Sequence, residues 1–277
     1  MNTILKRTLL SSLVLPFALG VQSASADLIT DWDYTVDSNF SNALFDAGSG
    51  SQVTNANNIS WGGVGASNRS SVSITDVDSL TDPGLEKLKT NVNSVAGSVF
   101  THDNRTISSS FSALTRFDLN STLTLNPLLP ADVGSTEVLP SLLFRTFFTE
   151  TENAETPCAD GGGAPCGDIF TLGNVGALGA MVGGAFQIVP QSFIMEGYKY
   201  TVFLELANLM ELTDTACDAA GADSGCVGLL TPENSETDFR TSFRITSTSV
   251  PEPGTMALLG LGLAGLGLSR RKKAARS

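Results

Sequence analysis

In the segment Ser121-Thr122-Leu123-Thr124-Leu125, the polar Thr122 and Thr124 alternate with the apolar Leu123 and Leu125. The same alternation recurs over residues 71–75 and 243–246. Period-two alternation with Ser and Thr on the wet face predicts half-buried antiparallel strands. These segments therefore point to a protein built from sheets that each bury one face.

The chain between residues 27 and 249 is predicted to be β structure throughout. The predicted strands are Trp32–Val36, Ser71–Thr75, Ser94–Thr101, Thr106–Leu114, Thr115–Leu119, Ser121–Leu125, Leu142–Glu150, Asp168–Leu172, Ala185–Val189, Gln191–Glu196, Tyr198–Leu206 and Phe239–Thr248. The one helix candidate is Gly84–Val92, with Asp82 as a possible cap and Pro83 in its first turn. Many short strands between turns predict an all-β protein, a single antiparallel β-sandwich of jelly-roll-like form over residues 27–249.

The charge of this body argues against several kinds of partner. Seven of the 16 Lys and Arg but only one of the 28 Asp and Glu lie in the two terminal segments, so the body is more acidic than the whole chain at −12. Nucleic acids and anionic surfaces are bound by clustered Lys and Arg. We therefore expect no nucleic acid partner.

Four cysteines form two close pairs in the sequence, Cys158 with Cys166 and Cys217 with Cys226. An even count in an exported protein predicts disulfides. Four cysteines allow three pairings, and the local one is favoured because short loops cost the least entropy to close. A zinc site is the alternative, although the intervals are wider than the usual two to four residues.

The N-terminus predicts export. Lys6 and Arg7 precede a mostly apolar stretch over residues 8–21, and Ala24-Ser25-Ala26 offers small residues for cleavage. This is the pattern of a secretory signal peptide over residues 1–26, which places the mature start at Asp27.

The C-terminus has three parts in a fixed order. Pro251, Glu252 and Pro253 come first, an apolar run over residues 256–268 follows, and Arg270-Arg271-Lys272-Lys273 ends the pattern. As a helix, the 13-residue run would be about 20 Å long, shorter than the ~30 Å core of a bilayer. The basic cluster would stay in the cytoplasm. The sequence thus predicts a short and transient membrane helix.

This tail over residues 250–277 closely resembles the PEP-CTERM sorting signal of Gram-negative bacteria. The resemblance implies that exosortase, a membrane-embedded transpeptidase-like enzyme, acts on the protein and directs it to the cell surface or extracellular matrix. It also implies transient anchoring in the inner membrane. It does not state what the body does.

A second resemblance rests on Thr101, His102 and Asn104, which spell Thr-His-x-Asn around the only histidine. Within a PEP-CTERM protein this is similar to the signature of the THxN family. Three further segments are compatible with that family: Ile59-Ser60-Trp61-Gly62, Phe148-Thr149-Glu150-Thr151-Glu152-Asn153 and Thr231-Pro232-Glu233-Asn234. The family carries no established activity to transfer.

Few features of the sequence support a catalytic role for His102. No Gly-x-Ser-x-Gly elbow is present, and a single histidine cannot build a multi-histidine metal site. We expect a structural role in which His102 and Asn104 hydrogen-bond the backbone where a strand ends. Ligand contact and catalysis are the alternatives, and no catalytic residue and no metal ligand is predicted.

Calcium and carbohydrate remain open alternatives. Carboxylates lie two apart in Asp31-Trp-Asp33 and Asp76-Val-Asp78, and Asp160 and Asp168 flank the first cysteine loop. Oxygen ligands suit calcium, but no Asp-x-Asp-x-Asp-Gly loop is present, and solvated acidic faces are the better explanation of these residues. Trp32 and Trp61 could stack on sugar rings if they were exposed, although core packing is the better expectation.

These observations favour a non-enzymatic exported protein with a structural or adhesive role in exopolysaccharide or biofilm, with no cofactor. A carbohydrate- or calcium-binding, lectin-like module is the alternative. A secreted hydrolase is the third reading.

Overall fold

A computed structural model describes residues 27–65 and 68–251, together with positions 254, 258 and 260–263. The predicted signal peptide, Glu252, Pro253, most of the predicted membrane segment and the basic cluster lie outside the described residues. Within the described part of the chain, no helix is both long enough and apolar enough to cross a bilayer.

The described chain is mostly strand. The strands are Asp31–Phe45 (β1), Val53–Asn55 (β2), Asn58–Gly62 (β3), Arg69–Ile74 (β4), Val77–Asp78 (β5), Leu88–Lys89 (β6), Val95–Asp103 (β7), Leu114–Leu129 (β8), Glu137–Val138 (β9), Leu142–Thr149 (β10), Asp168–Leu172 (β11), Gly179–Val182 (β12), Ala185–Ile188 (β13), Gln191–Met195 (β14), Tyr198–Ala207 (β15), Met210–Glu211 (β16), Val227–Thr231 (β17) and Glu236–Ser249 (β18). The helices are Val175–Leu178 (α1) and Asp214–Ala220 (α2).

These strands form two antiparallel sheets. The first has the order β16-β17-β11-β10-β8-β1-β5, with β6 added to β1 and β9 to β8. The second has the order β12-β13-β15-β18-β7-β4-β3-β2, with β14 added to β15. The prediction of an all-β, antiparallel fold is confirmed, while the jelly-roll form and the domain boundaries stay predictions.

Alternation in the sequence becomes alternation in burial. In β4, Ser70, Val72 and Ile74 are buried while Ser71 and Ser73 are half-buried. Strand β18 likewise buries Phe239, Phe243 and Ile245 in turn. A strand turns successive side chains to opposite faces, so these apolar rows lie between the two sheets.

Aromatic rings form the centre of contact between the two sheets. Phe100 of β7 lies 4.8 Å from Phe239 and 4.7 Å from Phe170, measured between ring centroids, and Phe117 of β8 lies 6.2 Å from Phe100. Each ring is fully buried. Such contacts contribute both apolar area and specific ring geometry, and they join β7 and β18 of one sheet to β8 and β11 of the other.

Two predicted elements are wrong. Residues 84–92 form no helix, because Leu88 pairs with Trp32 in the first sheet and is completely buried. This tertiary pairing outweighs a weak local helix preference. The predicted strand Thr106–Leu114 is instead an irregular crossing from β7 in the second sheet to β8 in the first, with a turn at residues 109–110.

Several other elements differ from the sequence prediction, among them β8 and β17. Residues 115–119 and 121–125 belong to one long strand, β8, rather than to two. Strand β17 at Val227–Thr231 was not predicted at all, although it completes the ladder beside β11. Its sequence has no polar and apolar alternation, because both faces of the strand are covered and four of its five residues are buried.

Candidate functional site

His102 lies inside strand β7, where it pairs with Val72 on one side and Thr237 on the other. Its side chain is fully buried between Trp61, whose ring is nearly parallel at 6.1 Å, and Phe148, whose ring is edge-on at 4.9 Å. Neither ring nitrogen has a hydrogen-bond partner among the described residues. The predicted hydrogen bond to backbone is therefore wrong for His102, because the strand continues to Asp103 and turns residue 102 inward.

Asn104 does make the expected backbone contacts. Its side-chain nitrogen donates to the carbonyl of Thr231 at 3.0 Å, and its main-chain N–H donates to the carbonyl of Ser235 at 2.9 Å. Thr101 is half-buried and pairs with Ser73 and Asp238. The end of β7 is thus fastened to the turn between β17 and β18.

Three carboxylates meet beside His102. One oxygen from each of Glu150, Asp168 and Glu233 lies within 4.8 Å of the other two. Asp168 opens β11, Glu150 directly follows β10, and Glu233 lies in the turn after β17. Because β10 and β17 both pair with β11, the ends of these three strands fall together at one end of the first sheet.

Hydrogen bonds hold each carboxylate. The indole N–H of Trp61 donates to Glu150 Oε2 at 2.8 Å. The main-chain N–H of Thr151 donates to Asp168 Oδ1 at 3.1 Å, and the hydroxyl of Thr106 donates to Glu233 Oε2 at 2.6 Å. Trp61 comes from the second sheet, so the cluster lies where the two sheets meet.

Several buried oxygens of this region are left without a partner. Asp168 Oδ2, Glu233 Oε1 and Asn104 Oδ1 are buried and accept no hydrogen bond from the described residues. Asn153 Oδ1, in the loop that follows Glu150, is in the same condition. Buried acceptors of this kind are rare in folded proteins and call for a specific explanation.

Burial dominates the electrostatics of the cluster. It raises the pKa of Glu150 to about 7, against the opposing effect of the Trp61 hydrogen bond. It also raises the pKa of Asp168 well above its usual range, with a further increase from the charge of Glu150. Burial lowers the pKa of His102 to about 3.

His102 and Asp168 are close, but they do not form a hydrogen-bonded ion pair. The distance from His102 Nε2 to Asp168 Oδ2 is 3.6 Å, and both side chains are fully buried. Two desolvated charges at that separation would have only the hydrogen bond from the Thr151 N–H to Asp168 Oδ1 as further compensation. Both pKa directions favour neutral groups, so His102 lies against the cluster as an uncharged imidazole.

The four segments that carry the THxN resemblance meet at this site. They are residues 59–62, 101–104, 148–153 and 231–234, and they contribute Trp61, His102 with Asn104, Glu150, and Glu233. Reasoning from the sequence did not single out Glu150 or Glu233. The signal was present in the quoted segments, but nothing in their spacing states which loops meet.

The predicted disulfides are confirmed. Cys158 bonds Cys166 and Cys217 bonds Cys226, with Cα–Cα distances of 5.3 Å and 5.8 Å. The first bridge closes a loop that ends two residues before Asp168. In that loop, Asp160 Oδ2 accepts a hydrogen bond from the main-chain N–H of Gly167 at 2.8 Å.

Most of the other carboxylates considered for calcium have local partners. Asp31 pairs with Lys89 at 3.3 Å, and Asp33 pairs with Lys87. Asp76 accepts from the N–H of Ser38 and from Asn57, while Asp78 accepts from Leu80 and Thr81. Only Asp168 of that group belongs to the cluster.

Both tryptophans are fully buried, as expected from core packing. Trp32 donates its indole N–H to the hydroxyl of Thr90 at 2.9 Å, and Trp61 donates to Glu150. Neither ring presents a face on which a sugar could stack.

Comparison with known proteins locates one motif. The family model of the PEP-CTERM protein-sorting motif matches residues 249–272. No curated protein matches the chain. The motif indicates an exported protein that is sorted by exosortase and directed to the cell surface.

Proposed function

We propose that this protein is a non-enzymatic component of the surface matrix of a Gram-negative bacterium, structural or adhesive in exopolysaccharide or biofilm. Exosortase would process it while the segment 256–268 holds it in the inner membrane. The observation that carries this proposal is the position of the sorting motif. The folded sandwich ends with β18 at Ser249, and the motif match begins at the same residue.

The end of the sandwich leaves the motif accessible. Val250 makes a last main-chain hydrogen bond to Gly197 and is already 38% exposed, and Pro251 is exposed. A membrane enzyme needs an extended, reachable segment, and the paired prolines favour one. Processing near Pro253 would release an intact sandwich.

The rest of the body supports a binding or structural role over a hydrolytic one. Glycoside hydrolysis needs two carboxyl groups on either side of a cleft that admits the sugar chain. Four pockets in residues 27–251 are lined by residues other than Glu150, Asp168 and Glu233. A chain with two closed disulfide loops and a dense aromatic interior is suited to persist outside the cell.

Sorting is tested with matched variants in a host that carries exosortase. We expect deletion of residues 250–277, and also Glu252→Ala, to abolish the surface-bound form, whereas Arg276→Ala outside the matched motif should leave it unchanged. The intact mass of the surface form should correspond to a chain that starts at Asp27 and ends near Pro253, with or without an added group. Equal surface amounts of the Glu252→Ala variant would refute sorting through this motif.

The matrix role is tested on the surface form itself. We expect it to co-sediment with the exopolysaccharide of its own host and to release no reducing sugar from that polymer. Sugar release that disappears in Glu150→Gln would establish a hydrolase instead.

A further inference from the structure

We propose that Glu150, Asp168 and Glu233 form a binding site for a hard divalent cation, and that calcium is the cation it fits best. This inference does not depend on the role in the matrix. It rests on the convergence of the carboxylates and, within the described part of the chain, on buried oxygens that lack partners and on the absence of a neutralising side chain nearby.

Among the residues that the structure describes, no Lys or Arg is paired with the cluster. The oxygens of three carboxylates lie within 4.8 Å of one another, and none of the ion pairs among residues 27–251 brings a Lys or Arg to them. Arg105, close in sequence to Asn104, is paired with Asp103 at 2.8 Å. Buried charges are normally paired or bound to a metal, so the arrangement favours a bound cation.

Unpartnered oxygens give the second, independent indication. The side chains of Asp168 and Asn104 are completely buried, yet Asp168 Oδ2 and Asn104 Oδ1 accept no hydrogen bond from any residue that the structure describes. The Asn104 side chain is held by its bond to the carbonyl of Thr231, which is the residue paired with Asp168 in the sheet. The Asn104 oxygen lacks a partner among the described residues, whereas Asp168 can share a hydrogen bond with Glu150 only when one of the two carboxyls is protonated.

The donor chemistry selects the kind of cation. Carboxylate and amide oxygens suit calcium, which takes six to eight oxygen ligands in flexible geometry. Zinc prefers nitrogen and sulfur donors, and the only histidine contacts one carboxylate without joining the converging group. His102 is fully buried and packs against Asp168 instead.

The cation also has a way in. Glu150 and Glu233 are half-buried, so one side of the cluster reaches solvent. Extracellular calcium modules commonly bind at about 0.1–1 mM, and an exported protein would meet calcium in this range. The competing arrangement is a proton shared among the carboxyls, and the experiments below distinguish the two.

The first experiment is calorimetric titration of calcium into the full chain after removal of metals with EDTA. We expect a single site with a Kd of about 0.1–1 mM, and a melting temperature raised by about 5 °C at a hundredfold excess over Kd. Magnesium should bind at least about tenfold more weakly, since it demands a tighter octahedral geometry. The proposal would be overturned if calcium did not bind at a concentration about tenfold above this Kd range, or if only zinc saturated the site.

Matched variants locate the site. Glu233→Gln should weaken calcium binding at least about tenfold, because it removes one anionic ligand at a half-buried position that tolerates the amide. Glu152→Gln, an exposed glutamate two residues from Glu150, should bind like the wild type. Equal affinity of Glu233→Gln and wild type would refute the assignment.

Terbium luminescence provides a readout that does not depend on stability. Terbium replaces calcium in oxygen sites and emits when a nearby indole is excited, and Trp61 donates directly to Glu150. We expect emission that calcium displaces, that is lost in Trp61→Phe and that persists in Trp32→Phe. Emission lost only in Trp32→Phe would place the ion elsewhere and overturn the proposal.

Discussion

Trp32 and Trp61 are equally buried and yet stand in opposite surroundings. The indole N–H of Trp32 meets the Thr90 hydroxyl at 2.9 Å, and that hydroxyl donates onward to the carbonyl of Ile29 at 2.6 Å. The indole N–H of Trp61 meets Glu150, in a cluster where Asp168 Oδ2 has no partner. The first region closes its hydrogen-bond network, whereas the second leaves it open.

The difference separates a core from a site. Around Trp32, rings of Tyr200 and Phe193 pack edge-on at 5.1 Å and 5.9 Å, and Tyr200 accepts from the N–H of Ile29. Every polar group named there is satisfied, as in a region selected for stability. Around Trp61 the unpaired oxygens cost stability, which a protein retains where the groups serve binding.

The largest expected effect on stability comes from a substitution in the region around Trp32. Trp32→Ala should lower the free energy of unfolding by about 4 kcal/mol and the melting temperature by about 10 °C, because it empties a fully buried site. Calcium should stabilise this variant as much as the wild type. Thermal melting with calcium and with EDTA checks both statements, and loss of the calcium effect would contradict the separation of the two regions.

The two disulfides give a sharper comparison with a smaller effect. Removing either bridge, as Cys158→Ser with Cys166→Ser or as Cys217→Ser with Cys226→Ser, should cost about 2.5 kcal/mol because both loops are short and similar in length. Only the first double variant should also weaken calcium binding, since its loop ends two residues before Asp168. Equal calcium affinities in the two double variants would mean that the first loop does not position the site.

The pH dependence of stability is expected to come from the region around Trp61. Between its unfolded pKa and its folded pKa of about 7, Glu150 holds a proton in the folded state that the unfolded chain has lost, so stability falls as pH rises through this range. Asp168 acts in the same direction. His102, whose pKa is lowered to about 3, acts oppositely below about pH 6.5, because there the unfolded chain takes up the proton.

Together, the two opposing contributions give a net loss of stability as the pH rises towards the upper end of this range. In EDTA, stability should fall by about 1 kcal/mol between about pH 6 and pH 8, and Glu150→Gln should flatten that slope. Thr90→Val is the control, because it should lower the melting temperature by a similar amount at every pH. A wild-type slope that persists in Glu150→Gln would assign the titration to another group.

The fold was more predictable from the sequence than the site. Alternation identified strands such as β4 because burial of one sheet face leaves a period of two. The same reasoning failed at Leu88, where a two-residue pairing with β1 replaced the predicted helix, and at residues 106–114, which cross between sheets. Local pattern cannot report either contact, because both depend on a distant strand.

The candidate site could be predicted only in fragments. His102 and Asn104 stood out as a motif, and Asp168 as a carboxylate beside a cysteine loop. Glu150 and Glu233 lie just beyond the ends of β10 and β17, and these strands meet only because both pair with β11. The site is therefore a consequence of strand order, which no spacing within one segment encodes.

The smallest expected effect on stability is also the most selective for the open region. Thr106→Val removes the hydroxyl that donates to Glu233 Oε2, but the bond is exposed, so the free energy of unfolding should change by less than about 0.5 kcal/mol. Calcium affinity should nevertheless fall, by about tenfold, because a ligand that loses its orienting hydrogen bond binds metal less well. Thr115→Val, which removes a similarly exposed hydroxyl bonded to the Leu44 carbonyl, should change neither quantity. Equal calcium affinity in the two variants would show that the Thr106 hydrogen bond is not needed to position Glu233. The difference between the two tryptophan regions would then come from the carboxylates themselves and not from the hydrogen bonds that hold them.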